Sequence, residues 1–230
     1  MLAPPTLEEW VYTALLLGWV LFVAMPLTRW TYGLMRRRGL EHHVAVYFNR
    51  KIIHVLAGGV VAVLVPFLYK SYVPIALMVA ILAVGNYMPH RTGRLYYWYQ
   101  VPENMYEVNF IVMWGAAMFL GFALNDVWLA VVPVMFMAVG DGVTGVVRNL
   151  IYRRRTKAIA GNVAMAAFCV PFGYAVFGPS GALAGLVSSL IERLEFGPVD
   201  DNVLVPLSAL LVLLALSGAC ANSQIMIERW

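Results

Sequence analysis

Eight long apolar runs constrain the fold of this chain more than any other feature of its sequence. A helix needs about 20 predominantly apolar residues to cross the hydrocarbon core of a bilayer. Only helices and closed barrels satisfy their backbone hydrogen bonds there. We therefore expect an all-α polytopic membrane helix bundle with about eight transmembrane helices, at residues 9–28, 52–69, 72–88, 105–124, 127–147, 159–177, 180–194 and 203–227.

The composition predicts one membrane domain over residues 1–230. The chain is 62% hydrophobic and 12% charged, whereas a soluble domain is nearer half apolar and a quarter charged. The first run follows Glu8 and Glu9 instead of lysines and lacks a clear small-residue cleavage site, so we expect a retained helix and not a signal peptide. Cys169 and Cys220 both lie in apolar runs, which disfavours a disulfide framework or a zinc site.

The basic residues predict the orientation of the bundle. If the N-terminus is outside, fourteen of the sixteen lysines and arginines fall in cytoplasmic loops or at cytoplasmic helix ends, as the positive-inside rule requires. With eight spans the C-terminus is extracytoplasmic as well. The cytoplasmic segments are then 29–51, 89–104, 148–158 and 195–202. This topology fits the endoplasmic reticulum or a prokaryotic plasma membrane.

Polar residues within or at the ends of the spans all lie toward the cytoplasmic half in this topology. They are His54, Asn86, Glu107, Asn109, Asp141 and Glu192. A charged residue in the membrane costs about 2.5–3.5 kcal/mol even on insertion scales, and such residues usually face a cavity or a pathway. Because a transport path would carry polar residues across the full depth, the one-sided distribution predicts a pocket that opens to the cytoplasm.

Two segments combine residue types that suit a phosphate site. In the first, Arg50, Lys51 and His54 fall on one face of a helix, although a basic flank with a hydrogen-bonded histidine would give the same pattern. In the second, an acidic residue between two glycines is followed by a basic loop and a glycine at a helix start. These residues are Gly140, Asp141, Gly142, Arg148, Arg153, Arg154, Arg155, Lys157, Gly161 and Asn162. The carboxylate could hold a divalent cation, and the basic side chains and the helix N-terminus could hold phosphate oxygens. Topology alone would also explain the three consecutive arginines.

A third segment places Glu192 shortly before Asp200, Asp201 and Asn202. Mg²⁺ is usually held by one or two carboxylates together with substrate phosphates. The same residues could instead form a solvated loop that caps the last helix.

Taken in order, the motifs Arg-Lys-x-x-His-x-x-x-Gly, Gly-Asp-Gly, Lys-x-x-x-Gly and Asp-Asp-Asn-x-x-x-Pro resemble the polyprenol kinase family. That family contains dolichol and phytol kinases and is related to membrane CTP-dependent cytidylyltransferases. The resemblance covers about residues 50–210 and leaves 1–49 as an extra N-terminal span with a basic cytoplasmic loop. It departs from the family where Ala158 follows Lys157 and Asn162 follows Gly161, since the family often has a hydroxyl residue at these positions.

The resemblance implies CTP-dependent phosphorylation of a long-chain isoprenoid alcohol at the cytoplasmic face, with Mg²⁺ or another divalent cation. It implies a metal site at Asp141, Asp200 and Asp201. Asp141, Glu192 and His54 are the expected catalytic residues, and Glu192 or His54 would orient the acceptor hydroxyl or take its proton. The expected nucleotide- and phosphate-binding residues are Lys157, Lys51, Arg50, Gly140, Gly142, Gly161, Asn162 and Asn202. The partners are then the alcohol, the nucleoside triphosphate and membrane lipid, with no nucleic acid.

Two alternatives remain open at this point. A cytidylyltransferase would use the same metal and basic residues to make a CDP-activated lipid. A membrane transporter or scaffold would show no dependence on Mg²⁺ and would carry polar residues across the bilayer.

Overall fold

The computed structural model describes residues 4–152, 156–194 and 199–217. Within these ranges the chain is all-helical and has no strand, which confirms the predicted fold class. The helices are α1 (Leu7–Arg37), α2 (His42–Leu68), α3 (Val73–Thr92), α4 (Tyr106–Ala123), α5 (Trp128–Tyr152), α6 (Ile159–Ile191) and α7 (Asp201–Ser217). The first six are long and apolar enough to cross a membrane. The end of the predicted span 203–227 and Arg153 to Arg155 lie outside the described residues.

Helix α5 forms the centre of the bundle. In an 18-residue apolar stretch of α5, 78% is buried inside the protein. The corresponding share is between 22% and 44% for the other five long helices. Phe136 and Met137 of α5 belong to the fully buried core. The acidic residue Asp141 follows them on the same helix, so it lies among packed helices and not toward lipid.

Three helices contain a widened π-helical turn. These turns are Val23–Leu27 in α1, His54–Gly59 in α2 and Phe136–Gly140 in α5. Pro26 accounts for the first, because proline lacks the N–H that a regular helix needs. The second turn begins at His54 and the third ends immediately before Asp141, which agrees with the tendency of π turns to occur at functional sites.

Helix α6 reverses direction at Gly178, where the sequence predicts a break. Gly178 has φ 57° and ψ −140°, which are not helical angles. A Cβ atom on Gly173 would lie 2.2 Å from the carbonyl oxygen of Gly181, so the backbones of the two halves nearly touch. Residues 159–177 and 179–191 therefore form an antiparallel hairpin whose two ends meet again at Asn162 and Ser189.

The connection between α3 and α4, residues 93–105, is held by buried hydrogen bonds. Gln100 Nε2 donates to the carbonyl oxygen of Asn86 (3.0 Å) and to Glu107 Oε1 (2.7 Å). Asn49 Nδ2 donates to the carbonyl oxygen of Trp98 (2.8 Å). These bonds fix α2, α3 and α4 to one another at the end of the bundle that carries the site.

Candidate active site

Asp141 is buried and paired with two residues of α2. Its Oδ2 accepts a hydrogen bond from Lys51 Nζ and lies 3.4 Å from His54 Nδ1. Lys51 and His54 are three residues apart, so they share a helix face as the sequence predicts. The side chain of His54 stacks on Phe110 of α4, with ring centroids 4.1 Å apart. The Arg-Lys-x-x-His segment and the Gly-Asp-Gly segment are thus brought together.

Three carboxylates converge at this point from three separate elements. Asp141 of α5, Glu192 just after α6 and Asp201 at the start of α7 each offer an oxygen, and these atoms lie within 4.8 Å of one another. We call these three residues the acidic trio. Hard divalent cations favour clustered carboxylate oxygens, and Asp141 Oδ1 is buried without a hydrogen-bond partner among the described residues. The trio therefore has the donor chemistry of a divalent cation site.

The sequence predicts Asp200 for the metal site, but the structure brings Glu192 to the trio and leaves Asp200 aside. Asp200 Oδ2 accepts hydrogen bonds from Asn109 and from Asn202, each 3.2 Å long. Asp200 precedes α7 while Asp201 is its first residue, so the two neighbouring side chains point to different partners. Burial raises the pKa of the Asp200 carboxyl, and the hydrogen bonds from Asn202 and Asn109 oppose that shift.

Within the described part of the chain, three basic side chains form ion pairs with the acidic trio. Arg148 binds both oxygens of Glu192, at 2.7 and 2.8 Å. Lys157 Nζ lies 3.4 Å from Glu192 Oε1 and 3.4 Å from Asp201 Oδ2, and it donates to the carbonyl oxygen of Glu192 (3.0 Å). With Lys51 on Asp141, each carboxylate of the trio has a cationic neighbour. The arrangement places cations beside the two buried carboxylates, Asp141 and Glu192, and beside the partly exposed Asp201, and a buried charge without a partner would be very costly.

Arg148 is a site residue to which the sequence assigns no separate role. It is buried, and it also donates to the carbonyl oxygen of Ala158 and to Asn162 Oδ1, both at 3.0 Å. Asn162 in turn donates to the carbonyl oxygen of Ser189 and to Glu192 Oε2. Arg148 and Asn162 together tie α5 to both halves of α6. Arg148 stands alone at the end of an apolar run, and this position is the only sequence signal that distinguishes it from the arginines that follow.

The glycines predicted to contact phosphate lie at positions of close packing. A Cβ atom on Gly140 would lie 2.6 Å from Cys169 Sγ, and one on Gly142 would lie 2.8 Å from Val55 Cγ2. A Cβ atom on Gly161 would lie 2.2 Å from Arg148 Nε. These three glycines let α2, α5 and α6 approach one another around the trio.

Arg50 and Asn202 complete a small polar cleft at the trio. The guanidinium of Arg50 lies 4.3 Å from the ring centre of Tyr106. Asn202 Oδ1 is buried and has no hydrogen-bond partner in the described part of the chain. The cleft has a volume of about 20 Å³, which is enough for one water-sized occupant. A triphosphate would fit only after side chains move, and the side chain of Lys157, which is 31% exposed, borders the cleft.

A second, apolar cavity of about 210 Å³ lies beside the polar cleft, between α1, α2, α3 and α4. His54 lines both spaces. Its Nδ1 lies 3.4 Å from Asp141 Oδ2, and its ring stacks on Phe110, which lines the apolar cavity. A polar and an apolar ligand could therefore meet at this side chain.

No family model, no curated protein and no solved structure matches this chain. The function has to be inferred from the residues of the site.

Proposed function

We propose that the protein transfers a phosphoryl group from a nucleoside triphosphate, CTP by its motif resemblance, to the hydroxyl group of a long-chain isoprenoid alcohol. One observation carries this proposal. The polar cleft is lined by Glu192, Asp201 and the three basic neighbours of the trio, and His54 lines both this cleft and the apolar cavity. An enzyme that joins a charged nucleotide to a water-insoluble alcohol needs such a junction.

The acidic trio would hold a divalent cation, Mg²⁺ in the first instance. Such an ion supplies positive charge that neutralises phosphate oxygens during transfer. Asp141, Glu192 and Asp201 are the ligands that the geometry favours, and Asp200 would act at most through water. This assignment moves Glu192 from the acceptor hydroxyl, where the motif resemblance implies it, to the metal site, and it removes Asp200 from direct contact with the cation.

The basic residues would bind the phosphates. Phosphoryl transfer depends mostly on positioning and on charge neutralisation. Lys51, Arg148 and Lys157 are occupied with carboxylates in the structure. With the carboxylate oxygens engaged by a cation, Lys51 and Lys157 would be available for phosphate. Arg148 keeps four hydrogen bonds to its surroundings, so we assign it to holding the site together.

His54 would orient the acceptor hydroxyl or take its proton. It is the residue that lines both the cavity for the alcohol and the cleft for the nucleotide. Its neighbour Asp141 would keep the imidazole in one orientation, as carboxylates do for catalytic histidines elsewhere.

The proposed topology places this site at the cytoplasmic face. Eight spans with both termini outside would put Lys51, Arg148 and Lys157 at cytoplasmic helix ends, where the nucleotide is available. The reversal of α6 at Gly178 supports the treatment of 159–177 and 180–194 as two spans.

The test is a transfer assay with purified protein in detergent, Mg²⁺, γ-labelled CTP or ATP, and isoprenoid alcohols from geranylgeraniol to dolichol. We expect label in a lipid monophosphate, lost in Asp141→Asn and retained in Asp126→Asn, which removes an acid from the α4–α5 connection. A CDP-lipid with release of pyrophosphate would instead identify a cytidylyltransferase. The absence of both products in a folded protein would refute the proposal.

A further inference from the structure

The wall of the apolar cavity contains one carboxylate with an unused oxygen. Glu107, on the first turn of α4, is 93% buried, given its relative exposure of 7%. Its Oε1 accepts from Gln100 Nε2 (2.7 Å) and lies 2.6 Å from His90 Nε2. Its Oε2 is buried with no hydrogen-bond partner among the residues that the structure describes. A buried acceptor left unpaired costs free energy, so a donor from a ligand would be favourable here.

Three other polar side chains in this wall, Asn86, Tyr99 and Trp114, already have partners. Tyr99 donates to Asn86 Oδ1 (3.0 Å), and Asn86 Nδ2 donates to the carbonyl oxygen of Leu82 (2.8 Å). Trp114 Nε1 donates to the carbonyl oxygen of Gly58 (3.1 Å). Glu107 Oε2 therefore differs from its neighbours. It is a hydrogen-bond acceptor held in place by two contacts to the other oxygen of the same group.

The position of Glu107 suits a ligand that also reaches His54. Glu107 precedes Phe110 by three residues, which is about 4.5 Å along a helix axis, and Phe110 stacks on His54. The cavity is also bordered by exposed residues of α1 and α3, including Leu21 and Ile81 (each 46% exposed) and Gly85. An apolar chain could enter there from the membrane.

We propose that Glu107 binds the hydroxyl group of an apolar alcohol in this cavity, with Oε2 accepting its hydrogen. Glu107 is then a substrate-binding residue that selects a hydrogen-bond donor at the head of an apolar chain. The inference deepens the proposed function and rests on it for the statement that the bound alcohol is the phosphoryl acceptor. Binding itself requires no nucleotide, so it can be tested separately.

The variant Glu107→Gln is informative because of how the carboxylate is held. Gln100 Nε2 is a donor, so it keeps the carbonyl oxygen of the new amide at the Oε1 position. The NH₂ group then occupies the Oε2 position and converts the acceptor into a donor. An alcohol and its methyl ether both accept a hydrogen bond, but only the alcohol donates one. The variant should therefore lose the ability to distinguish them.

The experiment uses the full chain in detergent, a tritiated C20 isoprenoid alcohol with a photoreactive group, and no nucleotide. Unlabelled geranylgeraniol and its methyl ether compete for labelling. We expect the alcohol to compete about ten- to a hundredfold better in the wild type, as a hydrogen bond to a charged group implies. The ratio should fall to about one in Glu107→Gln. It should stay at the wild-type value in Glu103→Gln, which changes an exposed acid in the connection between α3 and α4.

A wild-type ratio near one, or an unchanged ratio in folded Glu107→Gln, would overturn the inference; the first result would describe a cavity for any lipid chain. If Glu107→Gln does not fold, Gly85→Leu provides the second test. A Cβ atom on Gly85 meets nothing within 4 Å, so leucine can fill the cavity, and displaceable labelling should disappear. Persistent labelling would place the alcohol elsewhere. Selective binding without phosphoryl transfer would support the Glu107 site and refute the proposed kinase activity. Transfer without selective binding would support the kinase activity and refute the Glu107 site.

Discussion

Arg148 and Glu192, 44 residues apart in the sequence, form a buried two-pronged ion pair with N–O distances of 2.7 and 2.8 Å. The pair joins α5 to the end of the α6 hairpin and holds one member of the acidic trio in place. Removing either partner leaves the other charge buried and unpaired.

Glu192→Ala should therefore lower the free energy of unfolding by about 3–5 kcal/mol, the usual effect of breaking a buried pair. Replacing both residues by methionine, Arg148→Met with Glu192→Met, should recover most of that loss because no charge remains unpaired. Thermal unfolding in detergent measures both. The double variant should still lack phosphoryl transfer, since the trio has lost a carboxylate. If the double variant were as unstable as the single one, the ion pair would not be the reason.

Two adjacent aspartates offer a matched comparison of the metal site. Asp201→Asn removes a member of the trio and should raise the Mg²⁺ concentration needed for half-maximal transfer by about tenfold or more, the scale of a lost interaction with a charged group. Asp200→Asn should change it much less, because Asp200 is bonded to Asn109 and Asn202. Titration of activity with Mg²⁺ measures both variants. Equal effects would return Asp200 to the metal site.

Lys157→Ala should weaken nucleotide use more than turnover. Loss of a charge-assisted phosphate contact corresponds to a rise of about ten- to a hundredfold in the KM for the nucleotide, with kcat changed far less. Lys70→Ala is the control, since Lys70 is an exposed lysine far from the trio in the sequence. An unchanged nucleotide KM for Lys157→Ala would remove this lysine from phosphate binding.

Gly161→Ala should damage the site through packing alone. The added methyl group would lie 2.2 Å from Arg148 Nε and 2.8 Å from Thr144 Cγ2, and Arg148 cannot move without losing its hydrogen bonds. We expect lower stability, by about 1–3 kcal/mol as for other overpacked sites, and reduced activity. Gly33→Ala, in α1 with nothing within 4 Å of the added atom, should instead be neutral or stabilising by up to about 1 kcal/mol. Unfolding temperatures distinguish the two, and equal values would contradict the packing role.

The helical class and the long apolar helices could be predicted because run length and composition are local properties. The break at Gly178 could also be predicted, since glycine and proline act on their own backbone. Helix periodicity likewise predicts a shared face for Arg50, Lys51 and His54, and all three line the polar cleft. The face that each helix presents to its neighbours could not be predicted in this way, because it depends on packing between distant segments.

The exchange of Asp200 for Glu192 in the trio shows why site membership could not be read from the sequence. Asp200 and Asp201 differ only in which of them begins α7, and a shift of one residue decides which carboxylate points inward. Glu192 reaches the trio only because α6 folds back at Gly178 and returns its end to α5. Tandem carboxylates look equivalent in a sequence, whereas the helix start makes them distinct.

The π turn before Asp141 sets the rotational phase of the rest of α5. A π turn contains one residue more than a regular helix would need over the same length. If the same residues were wound as a regular α-helix, the extra residue would rotate everything after it by about 100° about the helix axis. Asp141, Thr144 and Arg148 would turn away together from Lys51, Gly161 and Glu192. The extra residue of the π turn therefore determines which side of α5 faces the other two members of the trio.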